Sequence, residues 1–142
     1  MDTAYKTTLE LDKVLNRAVQ LCACQETKEM MQALEPAPTI EDERYDLTQT
    51  NAINALLIKN GSPRFGSVRE VRRIVAHARK GGILSMGELL EIAATLRNFS
   101  GLSQWYGLSE HEMLPTDDLF FALAPQPVLE KQISESILSP EE

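Results

Sequence analysis

The sequence lacks the features of secreted and membrane proteins. Its 142 residues include two cysteines, which are too few for the disulfide framework of a small secreted domain. No apolar run approaches the roughly 20 residues that a membrane-spanning helix needs. The first residues, MDTAYKTTLELDK, have no apolar centre of a signal peptide. We therefore expect a single domain, residues 1–142, in a cytoplasmic protein with no membrane partner.

Groups that would form a metal or catalytic site are also scarce. Cys22 and Cys24 stand two residues apart, which places their thiols on different sides of a helix. That spacing suits neither zinc nor a redox pair. His77 and His111 are the two histidines, and neither stands near a second ligand type at a known spacing. No Ser/His/Asp or Cys/His arrangement stands out, so we expect no catalytic residue, metal or cofactor in this chain.

Positive charge is scarce as well, and it is concentrated in one segment. The chain has 14 Lys and Arg residues against 21 Asp and Glu residues, a net charge of −7. General nucleic-acid binders are usually basic overall, so indiscriminate DNA binding is not expected. One local patch could still face phosphate. The candidate nucleic-acid-binding residues, all within 59–80, are Lys59, Arg64, Arg69, Arg72, Arg73, Arg79 and Lys80.

The apolar residues that are present recur at helical spacing almost throughout. Steps of three and four residues connect Leu11, Val14, Leu15, Ala18, Val19 and Cys22. Segments 7–60 and 67–100 are expected to be helical, the second as a pair of helices, and 101–142 as a helical tail. We find no convincing strand pair. The predicted fold is all-α, an irregular helical bundle or array.

Capping residues predict where these helices begin. Thr7 with Glu10 and Ser85 with Glu88 have the spacing of a capping box, and Thr39 with Asp42 suggests another start. Further starts are expected at Ser67, at Ser109 with Glu112, and after Pro127. A short helix is expected over 26–34.

Glycine and proline predict where the helices end. A joint over 61–66 and a second at 81–82 would separate the helices and set their crossing angles. The residues of these structural joints are Gly61, Pro63, Gly66, Gly81 and Gly82.

The first joint nearly has the spacing of a phosphate-binding loop. Such a loop needs Lys and then Ser or Thr after its second glycine, but here those positions hold Ser67 and Val68. Pro63 also removes a backbone N–H donor. A role in ending one helix and starting the next explains this segment better than nucleotide binding does.

The basic segment has three interpretations. On a helix from Ser67 to Lys80, one face would be a basic stripe and the opposite face apolar. The stripe consists of Arg69, Arg72, Arg73 and Lys80, and the apolar face of Val68, Val71, Val75 and Ala78. That stripe is a solvated or internally docked face, a phosphate contact or a protein interface. It has no interleaved aromatic residues, so base stacking on it is not expected. Phe99, Trp105 and Tyr106 are expected in the core or at an interface.

Three stretches together resemble the N-terminal region of the bacterial MutS-two family. They are TLELDKVL at 8–15, KNGSPRFGSVREVR at 59–72 and ARKGGILSMGELLEIAATLR at 78–97. The resemblance implies part of a core or lever domain, preceding an ABC-type ATPase, a coiled-coil clamp and usually an Smr nuclease module. The closing ISESILSPEE resembles the family's register before a long helix, which predicts a chain truncated before the ATPase.

Family members are described as homodimeric DNA-binding ATPases and endonucleases that suppress recombination, and as factors that split collided ribosomes. The resemblance therefore implies the remainder of such a protein, DNA and ribosomal RNA as partners. It implies ATP and magnesium only for the absent ATPase. We expect a non-catalytic module that positions ATPase and clamp elements. The alternative is a stand-alone helical module that binds nucleic acid or protein.

Overall fold

The computed structural model describes residues 9–64, 66, 69–108 and 112–137. Within these ranges the chain forms seven helices and no strand, so the all-α prediction is confirmed. The helices are α1 (Leu11–Leu21), α2 (Gln25–Gln32), α3 (Ile40–Asn60), α4 (Arg72–Arg79), α5 (Met86–Tyr106), α6 (Asp117–Phe121) and α7 (Pro127–Ser136). None of the described helices is both long and apolar enough to cross a membrane.

The 21-residue helix α5 is the element on which α6 and α7 pack. It begins at the predicted capping box: Glu88 N donates to Ser85 Oγ over 3.3 Å, and Ser85 N donates to Glu88 Oε2 over 2.8 Å. The hydrogen bond from the Ser85 backbone, and to a smaller extent the one from its side chain, lower the pKa of the Glu88 carboxyl. The helix continues beyond the predicted end at residue 100, because Trp105 and Tyr106 in its last turn are buried.

The N-terminal half of α5 packs against α7. Ala93 of α5 joins Ile133 and Ile137 in one buried cluster. Arg97 Nε donates to Glu130 Oε1 over 3.0 Å at the margin of this contact, and this hydrogen bond lowers the pKa of Glu130. The helix predicted after Pro127 is therefore present, and its buried residue Ile133 packs on α5.

The C-terminal end of α5 packs against α3 and α6. Leu56 of α3, Trp105 and Tyr106 form the second buried cluster, with Phe120 against them. The Tyr106 and Phe120 rings stack with centroids 3.8 Å apart. We call these four residues the aromatic end. It holds α3, α5 and α6 together at one place.

Helix α3 has the predicted ends. Thr39 Oγ1 accepts a hydrogen bond from Asp42 N over 3.1 Å. At the other end Gly61 has a φ of 71°, a left-handed conformation that glycine adopts at little steric cost. The carbonyl of Gly61 also accepts a hydrogen bond from Trp105 Nε1 over 2.8 Å, so the first joint is fixed to the aromatic end.

Two predicted helix starts are wrong. Helix α1 begins at Leu11, and Glu10 is its N-cap with a φ of 56°. Glu10 therefore does not occupy the third helical position that a capping box requires. Thr7 lies outside the described residues. Helix α4 begins at Arg72 rather than beside Ser67, which is also outside them. Long-range contacts of Gly66 and Arg69, described below, compete with helix formation before Arg72.

The apolar face of α4 also differs from the prediction. Ile74 is its buried residue, whereas Val75 is 43% exposed. Val71 is the N-cap rather than an interior residue. Because the helix starts five residues after Ser67, the predicted continuous stripe from Ser67 to Lys80 does not form on one helix.

After α5 the chain reaches α6 through a segment that contains Pro115. The start predicted at Ser109 lies outside the described residues, and α6 begins at Asp117 with Thr116 at its N-cap. Thr116 is fully buried. Its hydroxyl lies 2.8 Å from the Tyr106 hydroxyl, which ties this short helix to α5.

Candidate functional site

The C-terminus of α4 has a local structure that depends on two glycines. Gly82 N donates to His77 O over 3.1 Å, and Gly81 N donates to Ala78 O over 2.9 Å. This pair of bonds is a Schellman motif, and Gly81 has the left-handed φ of 81° that the motif requires. A Cβ on Gly82 would lie 2.2 Å from His77 Nε2. The predicted joint at 81–82 therefore fixes where the last turn of α4, with Arg79, is placed.

The segment before α4 is held against α5. Gly66 N donates to Asn98 Oδ1 over 3.0 Å, and a Cβ at Gly66 would lie 2.7 Å from the same oxygen. Arg69 Nη1 donates to Glu91 Oε1 over 3.0 Å. Glycine at position 66 therefore permits a close approach to α5, and the approach places Arg69 beside that helix.

The first turn of α4 is connected to α2 by charge. Arg72 Nη2 lies 3.0 Å from Glu26 Oε1, with the Arg72 side chain 80% exposed. Exposed ion pairs of this kind contribute little net stability, typically about 0–1 kcal/mol. The ion pair therefore orients Arg72 towards α2, but it is weak enough for Arg72 to exchange Glu26 for another partner.

These contacts bring three arginines into one depression, which we call the basic cleft. Its volume is about 470 Å³. Arg69, Arg72 and Arg79 line it together with one carboxylate, that of Glu26. The apolar part of its wall consists of Val71, Val75, Ala76 and Phe99. The cleft thus combines excess positive charge with an apolar surface, which suits an anion that carries an apolar group.

The other predicted basic residues lie elsewhere. Lys59 lies in the last turn of α3, and Arg64 lies in the first joint. Arg73 and Lys80 are at exposed positions of α4 and its C-cap. Pro63, also in the first joint, lines a second hollow of about 380 Å³ beside Trp105. The fold therefore separates the seven predicted cations into three that share a cleft and four that do not. Their role in nucleic-acid binding stays a prediction.

The two cysteines line an apolar groove next to the basic cleft. This groove, about 570 Å³ in volume, lies between α1, α2 and α5 and shares Thr95 and Phe99 with the basic cleft. Cys22 and Cys24 are free thiols, and Cys24 Sγ lies 2.9 Å from Thr27 Oγ1. Among the described residues no group of three or more His, Cys, Asp or Glu side chains could hold a metal ion.

Sequence reasoning missed three members of the basic cleft that lie outside the basic segment, Glu26, Thr95 and Phe99. The sequence predicts Phe99 in the core or at an interface and predicts no role in the site for the other two. All three are distant from the arginines along the chain, so no local spacing could have revealed them. The cleft exists because α2 and α5 flank α4.

The chain is similar in sequence to several curated proteins named Endonuclease MutS2. It is 27% identical to the one from Clostridium beijerinckii over 136 residues, 94% of this chain and 17% of the relative. It is 28% identical to the one from Lachnospira eligens and 29% to the one from Ruminiclostridium cellulolyticum, in both cases over 100% of this chain and 18% of the relative. No protein-family model and no solved structure matches the chain.

These similarities confirm the resemblance to the MutS-two family that the three sequence stretches predicted. They extend over nearly all of the chain, including the region beyond residue 100 that lies outside the three stretches. The chain spans less than a fifth of the length of these relatives.

Proposed function

We propose that this chain, related in sequence to a part of the MutS2 endonucleases, is a non-catalytic helical module that positions the ATPase and clamp elements of such a protein. The observation that carries the proposal is that α5 is packed at both ends. Ile133 and Ile137 cover its first half, and the aromatic end holds its last turn. A long helix fixed at two places transmits a displacement of one end to the other.

The proposal includes partners and location. The remainder of a MutS2-type protein is the direct partner, in a cytoplasmic homodimer that acts on DNA or on ribosomes. ATP and magnesium belong to other parts of that protein. No residue of this chain is assigned a catalytic role.

A chimera tests the positioning role. The segment of the Clostridium beijerinckii protein that matches this chain would be replaced by this chain, and the endonuclease activity that the relative's name describes would be measured. We expect the chimera to retain activity and a Trp105→Ala chimera to lose it, because the aromatic end no longer fixes α5. Full activity in a variant with the matching segment deleted would contradict the positioning role.

A second candidate function is favoured by the basic cleft. Three arginines share it in a chain whose net charge is −7, so the cleft would attract phosphate locally although the chain as a whole repels it. In this function the chain contacts DNA or RNA weakly and by itself.

Charge reversal tests this second function. Arg69→Glu, Arg72→Glu and Arg79→Glu together should abolish binding to DNA or RNA, because these are the three arginines of the basic cleft. Retained helix content by circular dichroism is the control. Binding of the unchanged chain should weaken as salt rises, because phosphate contacts release counterions. Binding that is insensitive to salt would exclude a phosphate contact.

A further inference from the structure

We propose that the basic cleft is a nucleotide site, which takes a phosphate among its arginines and the attached base against Phe99. The inference rests on the second candidate function and names the chemical unit that is recognised. It differs from a general phosphate contact because the base, and not only the backbone charge, would contribute to binding.

The size of the cleft suits one nucleotide. Its volume of about 470 Å³ lies within the range of roughly 300–1,000 Å³ that is usual for small-molecule sites. The cleft is also bounded by three separate elements, α2, α4 and α5, rather than by one helix face.

The two chemical halves of the wall match the two halves of a nucleotide. Arginine presents a planar fork of N–H donors that fits phosphate oxygens. The other half of the wall includes Val71, Val75 and the ring of Phe99. Stacking of a base on an aromatic side chain strengthens binding by about fivefold or more. The basic segment lacks an aromatic residue along its own helix, and the fold supplies one from α5.

The arginines can be released to a ligand at small cost. The side chains of Arg69 and Arg72 are 60% and 80% exposed in their pairs with Glu91 and Glu26, and such exposed pairs contribute little net stability. The Arg79 side chain has no ion-pair or hydrogen-bond partner among the residues that the structure describes. A phosphate therefore competes with weak partners at two arginines and with none of the described residues at the third.

Glu26 makes the site testable in the direction of tighter binding. Its carboxylate lines the same cleft and occupies Arg72, so it both repels a phosphate and competes with it. Glu26→Gln removes the negative charge at nearly constant volume. If the Arg72–Glu26 ion pair only stabilised the fold, its removal would not strengthen the binding of a phosphate.

A base joined to a phosphate is available from a free nucleotide and from an unpaired stretch of nucleic acid. A duplex, in contrast, offers phosphates while its bases are stacked inside. The probes are therefore adenosine monophosphate, a labelled single-stranded DNA of about ten nucleotides, a typical length for such sites, and the duplex of the same sequence.

Binding would be measured by fluorescence anisotropy for the DNA probes and by calorimetry for adenosine monophosphate, at low salt. We expect the single strand to bind more tightly than the duplex. Phe99→Leu should weaken single-strand binding at least about fivefold and leave duplex binding unchanged. Phe99→Tyr, which keeps the ring, should retain binding. Binding of adenosine monophosphate as well would identify a free nucleotide as a sufficient ligand, whereas binding of the single strand alone would identify nucleic acid.

The charge variants sharpen the result. Arg79→Gln should weaken binding of both DNA probes several-fold, and Glu26→Gln should strengthen both. Lys131→Gln, a matched change on α7 where Lys131 faces Glu135 over 3.6 Å, should change neither. Equal binding of single strand and duplex, unaltered by Phe99→Leu, would overturn the nucleotide site and leave the phosphate contact standing. Absence of binding to every probe would overturn both.

Discussion

The aromatic end and the basic cleft lie on the same helix, α5, and are held together by different forces. At the aromatic end Trp105 and Tyr106 are 7% and 3% exposed, and no buried polar side-chain atom of the described residues lacks a hydrogen-bond partner. At the basic cleft the buried lining residue is Thr95, and the connections made by Arg69 and Arg72 are exposed ion pairs.

This difference separates stability from adaptability. Burial of aromatic side chains contributes several kcal/mol and requires one arrangement, whereas exposed ion pairs can be exchanged for other partners at little cost. We therefore expect the aromatic end to determine whether the chain folds and the basic cleft to determine what it binds. The predictions below test this division.

Trp105→Ala should have the largest effect on stability. The change removes the indole from the contact with Leu56 and Phe120 and the hydrogen bond to Gly61 O. Truncations of buried Phe or Trp cost about 3–5 kcal/mol. The loss in free energy of unfolding would be measured by urea denaturation, with circular dichroism as the signal. Phe121→Ala, at a side chain that is 73% exposed, should stay within about 0.5 kcal/mol of the parent; equal losses for both variants would remove the aromatic end as the stable region.

Tyr106→Phe should have the next largest effect, about 1–3 kcal/mol. The Tyr106 hydroxyl donates to Asp117 Oδ1 over 2.6 Å and lies 2.8 Å from Thr116 Oγ1. The variant therefore removes a hydrogen-bond partner from the buried Thr116 hydroxyl and from the half-buried Asp117 carboxylate. Urea unfolding at neutral pH measures the loss. Tyr45→Phe, at a tyrosine that is 53% exposed, is the matched control and should have little effect.

The same tyrosine predicts a dependence on alkaline pH. Burial, followed by the hydrogen bond to Asp117, raises the pKa of Tyr106 from 10 to about 12. A raised folded-state pKa means that this stability is fully present below pH 10 and is lost as the pH rises from 10 to about 12. Thermal unfolding over that range should show a smaller alkaline loss in Tyr106→Phe than in the parent. Equal losses would contradict a buried, hydrogen-bonded phenol.

Helix ends were the part of the fold that the sequence allowed us to predict best. Thr39, Gly61, Gly81 and Ser85 mark ends of α3, α4 and α5 as expected, because capping depends on side-chain and backbone groups a few residues apart.

Contacts between distant segments were the part that could not be predicted. Helix α4 starts late because Gly66 and Arg69 bind α5 residues 32 and 22 positions away, and no local pattern encodes such partners. The cleft has the same origin, since Glu26 and Phe99 join the arginines only through the packing of α2, α4 and α5. The distribution of charged residues in the sequence predicts the basic segment. Which of its cations share a cleft depends on the tertiary structure.

Ser85→Ala should reduce stability by about 1 kcal/mol, the usual contribution of an N-cap residue. It removes the acceptor for Glu88 N at the start of α5, in the half of the helix that lies away from the aromatic end. Urea unfolding measures the loss, and Ser85→Thr, which keeps a hydroxyl, should recover most of it. No loss in Ser85→Ala would mean that packing alone determines this end of α5.

The capping box also predicts a dependence on acidic pH. Hydrogen bonds from Ser85 lower the pKa of Glu88 below its usual 4.5. A lowered folded-state pKa means that the stability is present above the unfolded-state value and is lost as the pH falls through the folded-state value. Thermal unfolding below pH 5 should therefore show a smaller acid loss in Glu88→Gln than in the parent. An identical acid loss would contradict the capping role of the carboxylate.

Loss of the Arg72–Glu26 pair should have the smallest effect on the free energy of unfolding. A small effect is expected if the basic cleft, unlike the aromatic end, is held by exchangeable contacts. A double-mutant cycle with Arg72→Ala and Glu26→Ala isolates the interaction from other losses. We expect a coupling of about 0.2–1 kcal/mol, decreasing as salt screens the two charges. Urea unfolding of the four proteins at low and high salt gives both values. A coupling of several kcal/mol that salt does not reduce would make the pair a structural clamp, and its arginine would then not be available to a phosphate. A small, salt-sensitive coupling leaves Arg72 free to change partners, which is the property that distinguishes the basic cleft from the aromatic end.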